Sequence, residues 1–233
     1  MILQVFILAA GFFLLVKGAD WFVEGAAGIA KKMGIPQLVI GLTIVAMGTS
    51  MPEAAVSITA AFNHNAGITI GNIVGSNILN ILIILGITAV ITNVAIQKST
   101  FRYEIPFMIG VTGVLLIFGV TGASITFAEG VIFWILFLGY LGYLFVMARK
   151  GNAGIAIGNI VGSNIFNILF VIGTTALICT VPFEEKFLID TGIAAAVGVL
   201  LWAGTIRHKE LRRPFGIVML LCYVAYFVYL CVQ

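Results

Sequence analysis

Apolar runs separated by short polar stretches occupy almost the whole chain and predict an all-α, polytopic membrane protein. A hydrocarbon layer about 30 Å thick is crossed by roughly 17 to 25 apolar helical residues. Eight runs approach or reach this length, and the fourth is the shortest. They are Leu3 to Val23, Leu38 to Phe62, Ile68 to Ile91, Ile105 to Val120, Ile125 to Met147, Ile155 to Val181, Phe187 to Thr205 and Pro214 to Val232.

One apolar segment occurs twice. Residues Asn65 to Gly86 recur at Asn152 to Gly173, with 17 of 22 positions identical and a constant offset of 87. The copies are three spans apart, so they cross the membrane in opposite directions. This predicts inverted repeats with a binding site where they meet. We assign residues 1–147 to a first repeat of five spans and residues 148–233 to a second, truncated repeat of three spans.

Composition and charge fix the class and the expected orientation. With 61% apolar and 9% charged residues and a mean hydropathy of +1.18, the chain cannot bury its apolar residues in a water-soluble globule. Basic residues retain loops in the cytoplasm, and ten of them fall on one side against Lys186 on the other. The ten are Lys31, Lys32, Lys98, Arg102, Arg149, Lys150, Arg207, Lys209, Arg212 and Arg213.

This bias predicts a multi-pass protein of the cell (inner) membrane with both termini outside the cytoplasm, and it accounts for the net charge of +3 without a nucleic-acid partner. The opening stretch has no basic region or cleavage site, so we expect a retained first span. The three cysteines lie in or at the ends of apolar runs and predict neither a disulfide nor a zinc site.

The second span carries a carboxylate near the middle of the membrane. Pro52 deprives the carbonyl of Gly48 of its helical donor, and Gly48 makes local unwinding cheap, so a break is expected there. Glu53 follows this break. Freed carbonyls at membrane depth need a partner, and a cation is one such partner.

The oxygen groups around this break fit a hard cation. Thr49, Ser50 and Glu53, with the carbonyls from Ala46 to Gly48, offer hydroxyl, carboxylate and main-chain oxygens, which suit Ca²⁺ better than zinc. The other interpretation is a kinked helix with a protonated, hydrogen-bonded Glu53.

The duplicated segment adds a polar stripe to each copy. Asn72, Ser76 and Asn80 are spaced by four and share one helix face, and Asn159, Ser163 and Asn167 repeat the pattern. Interhelical hydrogen bonding explains each residue taken singly. Because the pairs lie at mid-depth in both copies, we expect them to line the site.

At these motifs the chain resembles the sodium/calcium exchanger (calcium/cation antiporter) superfamily. GLTIVAMGTSMPE followed by IGNIVGSNILNIL is similar to the first alpha-repeat of that family, and KGADWFVEGA is similar to the segment before it. The resemblance implies Na⁺/Ca²⁺ exchange by alternating access. It also implies cation ligands at the following positions: Thr49, Ser50, Glu53, Ser76, Asn80, Ser163 and Asn167.

The chain departs from the family pattern in its second half. The family has ten spans and a second GTSxPE, yet an offset of 87 from Thr49, Ser50, Pro52 and Glu53 leads to Leu136, Phe137, Gly139 and Tyr140. The sixth span and most of the seventh are missing, with the discontinuity near Val146 to Asn152. A divalent cation would then meet only one buried carboxylate.

Two classes of function stay open. The first is a Ca²⁺/Na⁺ antiporter that needs no cofactor beyond the transported ions. The second is a transport-defective deletion form, or an interaction protein that keeps the fold. No nucleophile and base pair, cofactor loop or metal triad predicts an enzyme. A parallel homodimer is compatible with the basic bias.

The other acidic residues have ordinary interpretations. We expect Asp20 and Glu24 to interact with Lys17 or the membrane interface, with an ion pathway as the alternative. Glu104 fits a helix N-terminus, and Asp190 fits a solvated outer loop.

Overall fold

The protein is described by a computed structural model that covers residues 2–34, 44–149, 156–206 and 209–232. Within these ranges seven helices are long and apolar enough to span a membrane, which confirms a polytopic all-α protein. They are Leu3–Lys32, Ile68–Ile91, Thr100–Gly122, Phe127–Met147, Ile157–Ile178, Glu185–Thr205 and Arg213–Val232. The start of the predicted second span, at 38–43, lies outside the described residues.

The first helix is longer than the sequence pattern indicated. Helix α1 covers Ile2–Lys32, whereas the apolar run was predicted to end at Val23. It packs on the second span, where Gly48 is buried directly beneath Val23. A Cβ on Gly48 would overlap Val23 Cγ2, so this close approach requires glycine.

The described part of the second span is a broken helix, as predicted. Helix α2 covers Ala46–Thr49, Ser50 interrupts it, and helix α3 resumes at Met51–Phe62 with Pro52 in its first turn. Proline is tolerated in a first turn because the N–H it lacks has no helical acceptor there. The break therefore falls at Ser50, within the predicted stretch from Gly48 to Pro52.

The duplicated segments fold alike. Helix α4 (Ile68–Leu79) passes through a π-helical segment at Asn80–Leu85 into α5 (Gly86–Ile91). In the second copy α8 (Ala156–Phe166) passes through a π-helical segment at Asn167–Ile172 into α9 (Gly173–Ile178). Such wide turns are rare and occur often at functional sites. Each begins at an asparagine of the predicted stripe.

The remaining helices complete the two repeats. After a π-helical turn at Thr100–Glu104 come α6 (Ile105–Gly122) and α7 (Phe127–Arg149). The second repeat ends with α10 (Glu185–Thr205) and α11 (Arg213–Val232). The span beginning at Thr100 is thus longer than the predicted fourth span.

Two short antiparallel strand pairs join the repeats. Strand β1 (Val94–Ala95) pairs with β4 (Glu210–Leu211), and β2 (Ser124–Ile125) pairs with β3 (Val181–Pro182). The flanking hydrogen bonds match as well: Ile96 N–H donates to Lys209 O at 2.8 Å, and Phe183 N–H donates to Ala123 O at 2.9 Å. Ala123 and Lys209 both have positive φ, 49° and 51°. The repeats are therefore related by a pseudo-two-fold axis.

The strand pairs also establish that the copies are inverted. Helix α6 runs from the β1 end to the β2 end, so the two pairs lie at opposite ends of the molecule. The first copy runs into β1 and the second copy runs into β3, which pairs with β2. The two copies therefore run in opposite directions, as their odd separation predicted.

The repeats exchange their last helices. Helix α7 packs on α9 with Gly130 beside Gly173 and Ala176, and α11 packs on α5 with Gly216 beside Gly86 and Ala89. A Cβ at Gly216 would lie 2.7 Å from the carbonyl oxygen of Gly86, so bulkier residues would force these helices apart.

Internal symmetry identifies what the second repeat lacks. Its described helices match 68–91, 100–122 and 127–149 of the first repeat, and none of them matches α1 or the broken helix 44–62. The positions reached by an offset of 87 from GTSxPE lie in α7, whose true counterpart is α11. The boundary at 147/148 stays a prediction, close to the end of α7.

Candidate functional site

A symmetric network of four asparagines lies where the two copies cross. Asn77 Nδ2 donates to Asn164 O at 3.2 Å, and Asn164 Nδ2 donates to Asn77 O at 3.1 Å. Asn80 Nδ2 donates to Asn164 Oδ1, and Asn167 Nδ2 donates to Asn77 Oδ1, both at 3.0 Å. All four side chains are held at the crossing by side-chain amide hydrogen bonds.

This network determines which side-chain atoms of the predicted residues Asn80 and Asn167 have no hydrogen-bond partner in the part of the chain that the structure describes. Because Asn80 and Asn167 donate through Nδ2, their Oδ1 atoms are free to point elsewhere. Asn167 is fully buried, and its Oδ1 has no hydrogen-bond partner among the described residues. A buried acceptor without a donor is costly, so this atom is a candidate cation ligand.

Asn77 and Asn164 were not among the site residues predicted from the sequence. They lie three positions before Asn80 and Asn167, whereas the predicted stripe has a spacing of four. Spacing by three also places residues on one helix face. The GSNxxN repeat contained this signal, and in the structure the first asparagine of each motif positions the second asparagine of the other copy.

The predicted residues of the first repeat meet at the helix break. Glu53 Oε1 accepts a hydrogen bond from Ser76 Oγ at 2.6 Å, which joins α3 to α4. Asn72 Nδ2 donates to Glu53 O at 3.2 Å and to Ser57 Oγ at 3.0 Å. Glu53 is half-buried, and its carboxylate is thus held against the duplicated helix.

A second group of oxygens brings in the other repeat. Ala46 O lies 2.9 Å from Thr49 Oγ1 and 3.2 Å from Ser163 Oγ, and these hydroxyls are 2.8 Å apart. Ser163 is buried, whereas Thr49 is exposed at the side of the break that faces α1. Ser50 is buried at the break itself, where its N–H donates to Met47 O.

The two polar stripes differ in the hydrogen bonds that their first asparagines make. Asn72 has two partners on α3, whereas the side chain of its counterpart Asn159 makes no hydrogen bond with any described residue, and its Oδ1 is buried. The missing counterpart of the broken helix explains this difference. Within the described ranges no three or more His, Cys, Asp or Glu side chains cluster in a way that could hold a metal ion.

A cleft of about 440 Å³ connects the break to α1. Asp20 and Glu24 line it together with Val45, Gly48 and Thr49. Lys17 contacts Asp20 at 3.4 Å, as the sequence indicated. The acidic face of α1 therefore lies beside the candidate site.

Comparisons with known proteins identify the family of the chain. The sodium/calcium exchanger protein family model matches residues 3–146 and again 143–232. Sodium/calcium exchanger MaX1 of Methanosarcina acetivorans is 40% identical over 61% of this chain and 41% of its own length. Inner membrane protein YrbG of Escherichia coli is 34% identical over 66% of this chain and 46% of its own length.

The fold is also similar to a solved sodium/calcium exchanger from Methanococcus jannaschii. The TM-score is 0.72 at 25% identity, over 96% of this chain and 97% of that chain. The chain spans less than half of the length of the two curated relatives named above. The double family match nevertheless covers nearly every residue, and the chain belongs to the sodium/calcium exchanger protein family.

Proposed function

We propose that this protein exchanges Na⁺ for Ca²⁺ across the membrane by alternating access. The observation that carries the proposal is the Glu53 carboxylate, hydrogen-bonded to Ser76 at 2.6 Å beside a helix break and next to the crossing of two inverted copies. Inverted-repeat carriers bind their ions at such an interface. The names of the relatives favour this function over a non-transporting form.

The site offers ligands that suit both cations. The proposed ligands are the hydroxyls of Thr49, Ser50, Ser76 and Ser163, the carbonyl of Ala46, the carboxylate of Glu53 and the amide oxygens of Asn80 and Asn167. Ca²⁺ takes six to eight oxygen ligands in flexible geometry. Na⁺ would use the same oxygens, so the two ions compete and one replaces the other.

The oxygen cluster at Ala46 supports cation binding in particular. Its three short contacts join Ala46 O and the hydroxyl oxygens of Thr49 and Ser163. Two hydroxyl hydrogens satisfy at most two of these contacts with linear bonds. A cation bound between the three oxygens would relieve the repulsion between their lone pairs, because all three can coordinate it.

One carboxylate sets an expectation for affinity. A divalent cation stripped of water keeps an uncompensated positive charge beside Glu53, and this is costly at low dielectric. We therefore propose weaker Ca²⁺ binding than a site with two carboxylates would give. Monovalent Na⁺ is fully compensated by Glu53.

The cleft beside α1 is our proposed route for cations to the site. Asp20 and Glu24 supply negative charge along it, and Thr49 lies at its inner wall. Acidic walls raise the local concentration of cations and speed their entry.

We further propose that both termini lie outside the cytoplasm of the cell (inner) membrane. Lys98, Arg102 and Lys209 line one surface pocket at the β1 and β4 end, whereas Lys186 lies near β3 at the other. Basic residues mark the cytoplasmic side. The proposed activity is transport and requires neither catalysis nor a cofactor, and a parallel homodimer stays a prediction.

Calcium uptake into proteoliposomes tests the function. We expect radioactive Ca²⁺ to accumulate only when Na⁺ is loaded inside and diluted outside. Glu53→Gln should abolish this uptake. Glu129→Gln is the matched control, because Glu129 is only half-buried and caps α7 through Thr126, a role that glutamine retains. Uptake that ignores the Na⁺ gradient, or that survives in Glu53→Gln, contradicts the proposal.

A further inference from the structure

Two buried acids occupy equivalent places in the two repeats. Glu104 is 4% exposed and Asp190 is 7% exposed, although Glu104 was expected simply at a helix N-terminus and Asp190 in a solvated outer loop. An offset of 86 relates them, and the same offset relates Tyr140 to Tyr226 and Tyr143 to Tyr229. Glu104 lines a cavity together with Tyr140 and Tyr143, and Asp190 contacts Tyr226, so each acid meets the last helix of its own repeat.

In the second repeat the acid has a partner. The hydroxyl of Tyr226 donates to Asp190 Oδ1 at 3.2 Å, and both residues are buried. This hydrogen bond satisfies the carboxyl within the protein.

In the first repeat the equivalent bond to a tyrosine is not formed, and the Thr100 side chain lies beside the Glu104 carboxyl instead. Glu104 Oε2 and the Tyr143 hydroxyl are both buried and have no hydrogen-bond partner among the described residues. A cavity of about 370 Å³ lies beside them, lined by Phe107, Leu136, Gly139 and Tyr140 among others. Tyr103 and Ile135 at its rim are 51% and 63% exposed, so it opens to the bilayer side.

The chemistry of this cavity selects a class of ligand. An unpartnered carboxylate oxygen requires a donor or a cation. A bare metal ion would find too few oxygens, because the other walls are aromatic and aliphatic. An ammonium group provides N–H donors, and tyrosine and phenylalanine rings attract cations through their faces. The apolar lining suits a hydrocarbon or aromatic body attached to it.

We propose that the Glu104 cavity binds an ammonium ligand with an apolar body, its N–H groups donating to Glu104 Oε2 and the Tyr143 hydroxyl. This site is separate from the Glu53 site, and the proposal does not rest on ion exchange. The ligand is either a free amphiphilic amine or the headgroup of an ethanolamine lipid, which present the same ammonium chemistry.

The test uses para-fluorophenethylammonium as the probe. Fluorine NMR measures its binding to the full chain in phosphatidylcholine nanodiscs. We expect saturable binding to the wild-type chain. Glu104→Gln should weaken it about tenfold or more, because a hydrogen bond to a charged group is lost. Asp190→Asn is the matched control and should leave the affinity unchanged. The neutral alcohol analogue of the probe should bind weakly to all three proteins.

A cavity-filling variant covers the case in which Glu104→Gln fails to fold. A Cβ at Gly139 meets no atom within 4 Å, so Gly139→Leu can occupy the cavity while leaving Glu104 in place. It should abolish probe binding. Absence of saturable binding to the wild-type chain overturns the proposal. So does wild-type affinity in folded Glu104→Gln or Gly139→Leu, or an equal loss in Asp190→Asn.

Lipid composition distinguishes the two sources. Native mass spectrometry of the chain from mixed nanodiscs compares the retention of phosphatidylethanolamine and phosphatidylcholine. Preferential retention of the ethanolamine lipid by the wild-type chain but not by Glu104→Gln supports a headgroup ligand. Equal retention of both lipids, together with saturable probe binding, supports a free amine.

Discussion

Asn77 and Asn164 hydrogen-bond each other's main chain across the pseudo-two-fold axis, each donating Nδ2 to the other's carbonyl oxygen at 3.2 and 3.1 Å. Their own Oδ1 atoms accept from Asn167 and Asn80. The two inverted copies are thus joined at the level of the proposed ligands. Any change in the angle between the copies would move Asn80 and Asn167 together.

Removing one asparagine of this pair should destabilise the helix crossing. Asn164→Ala leaves Asn77 O and Asn80 Nδ2 without donor and acceptor, which we expect to cost about 1–2 kcal/mol. Thermal unfolding in detergent measures the effect. Asn63→Ala is the control, because Asn63 is exposed and bonds only within its own helix turn. In the double variant that combines Asn164→Ala with Asn77→Ala, the loss of stability should be less than the sum of the two single losses. Additive losses would contradict a shared network.

Gly48 should be needed for the packing of α1. Gly48→Ala would place its Cβ against Val23 Cγ2 and force α1 away from the break, at a cost of about 1–3 kcal/mol. Adding Val23→Ala removes the obstructing methyl group and should restore stability. Gly75→Ala is the control, because its Cβ meets no atom within 4 Å. A Gly48→Ala protein as stable as the control would refute this contact.

Much of the architecture follows from local patterns in the sequence, and the rest depends on tertiary contacts. Hydropathy located the spans, and Pro52 located the break, because both effects act within one helix. The π-helical segments at Asn80 and Asn167 were not predicted, since they accompany bonds between helices that are distant in sequence. The burial of Glu104 and Asp190 was missed for the same reason: tyrosines almost forty residues away enclose them.

The acidic cleft should control the rate of ion entry. Asp20→Asn with Glu24→Gln removes two negative charges from its wall while Glu53 keeps its place. We expect the Ca²⁺ uptake rate at low ionic strength to fall several-fold, and the difference from the wild-type chain to shrink as salt increases. Initial rates in proteoliposomes at two salt concentrations provide the measurement. Equal rates at low salt would mean that ions reach Thr49 by another route.

Tyr226 and Tyr229 should differ in their contribution to stability although both are tyrosines of α11. Tyr226→Phe removes the donor to Asp190 and should cost about 1 kcal/mol or more. Tyr229→Phe removes a buried hydroxyl that has no partner among the described residues and should be neutral or stabilising. Thermal unfolding of the two variants side by side decides the matter, and equal losses would contradict the Asp190 hydrogen bond.

Equilibrium binding of Ca²⁺ to the purified chain tests the central claim most directly, because it asks whether both repeats build one cation site. Isothermal titration should detect Ca²⁺ binding that Na⁺ displaces. It should weaken about tenfold or more in Glu53→Gln from the first repeat and in Asn167→Ala from the second, since each variant removes an oxygen ligand. Absence of Ca²⁺ binding to the folded wild-type chain, or wild-type affinity in either variant, would contradict the account.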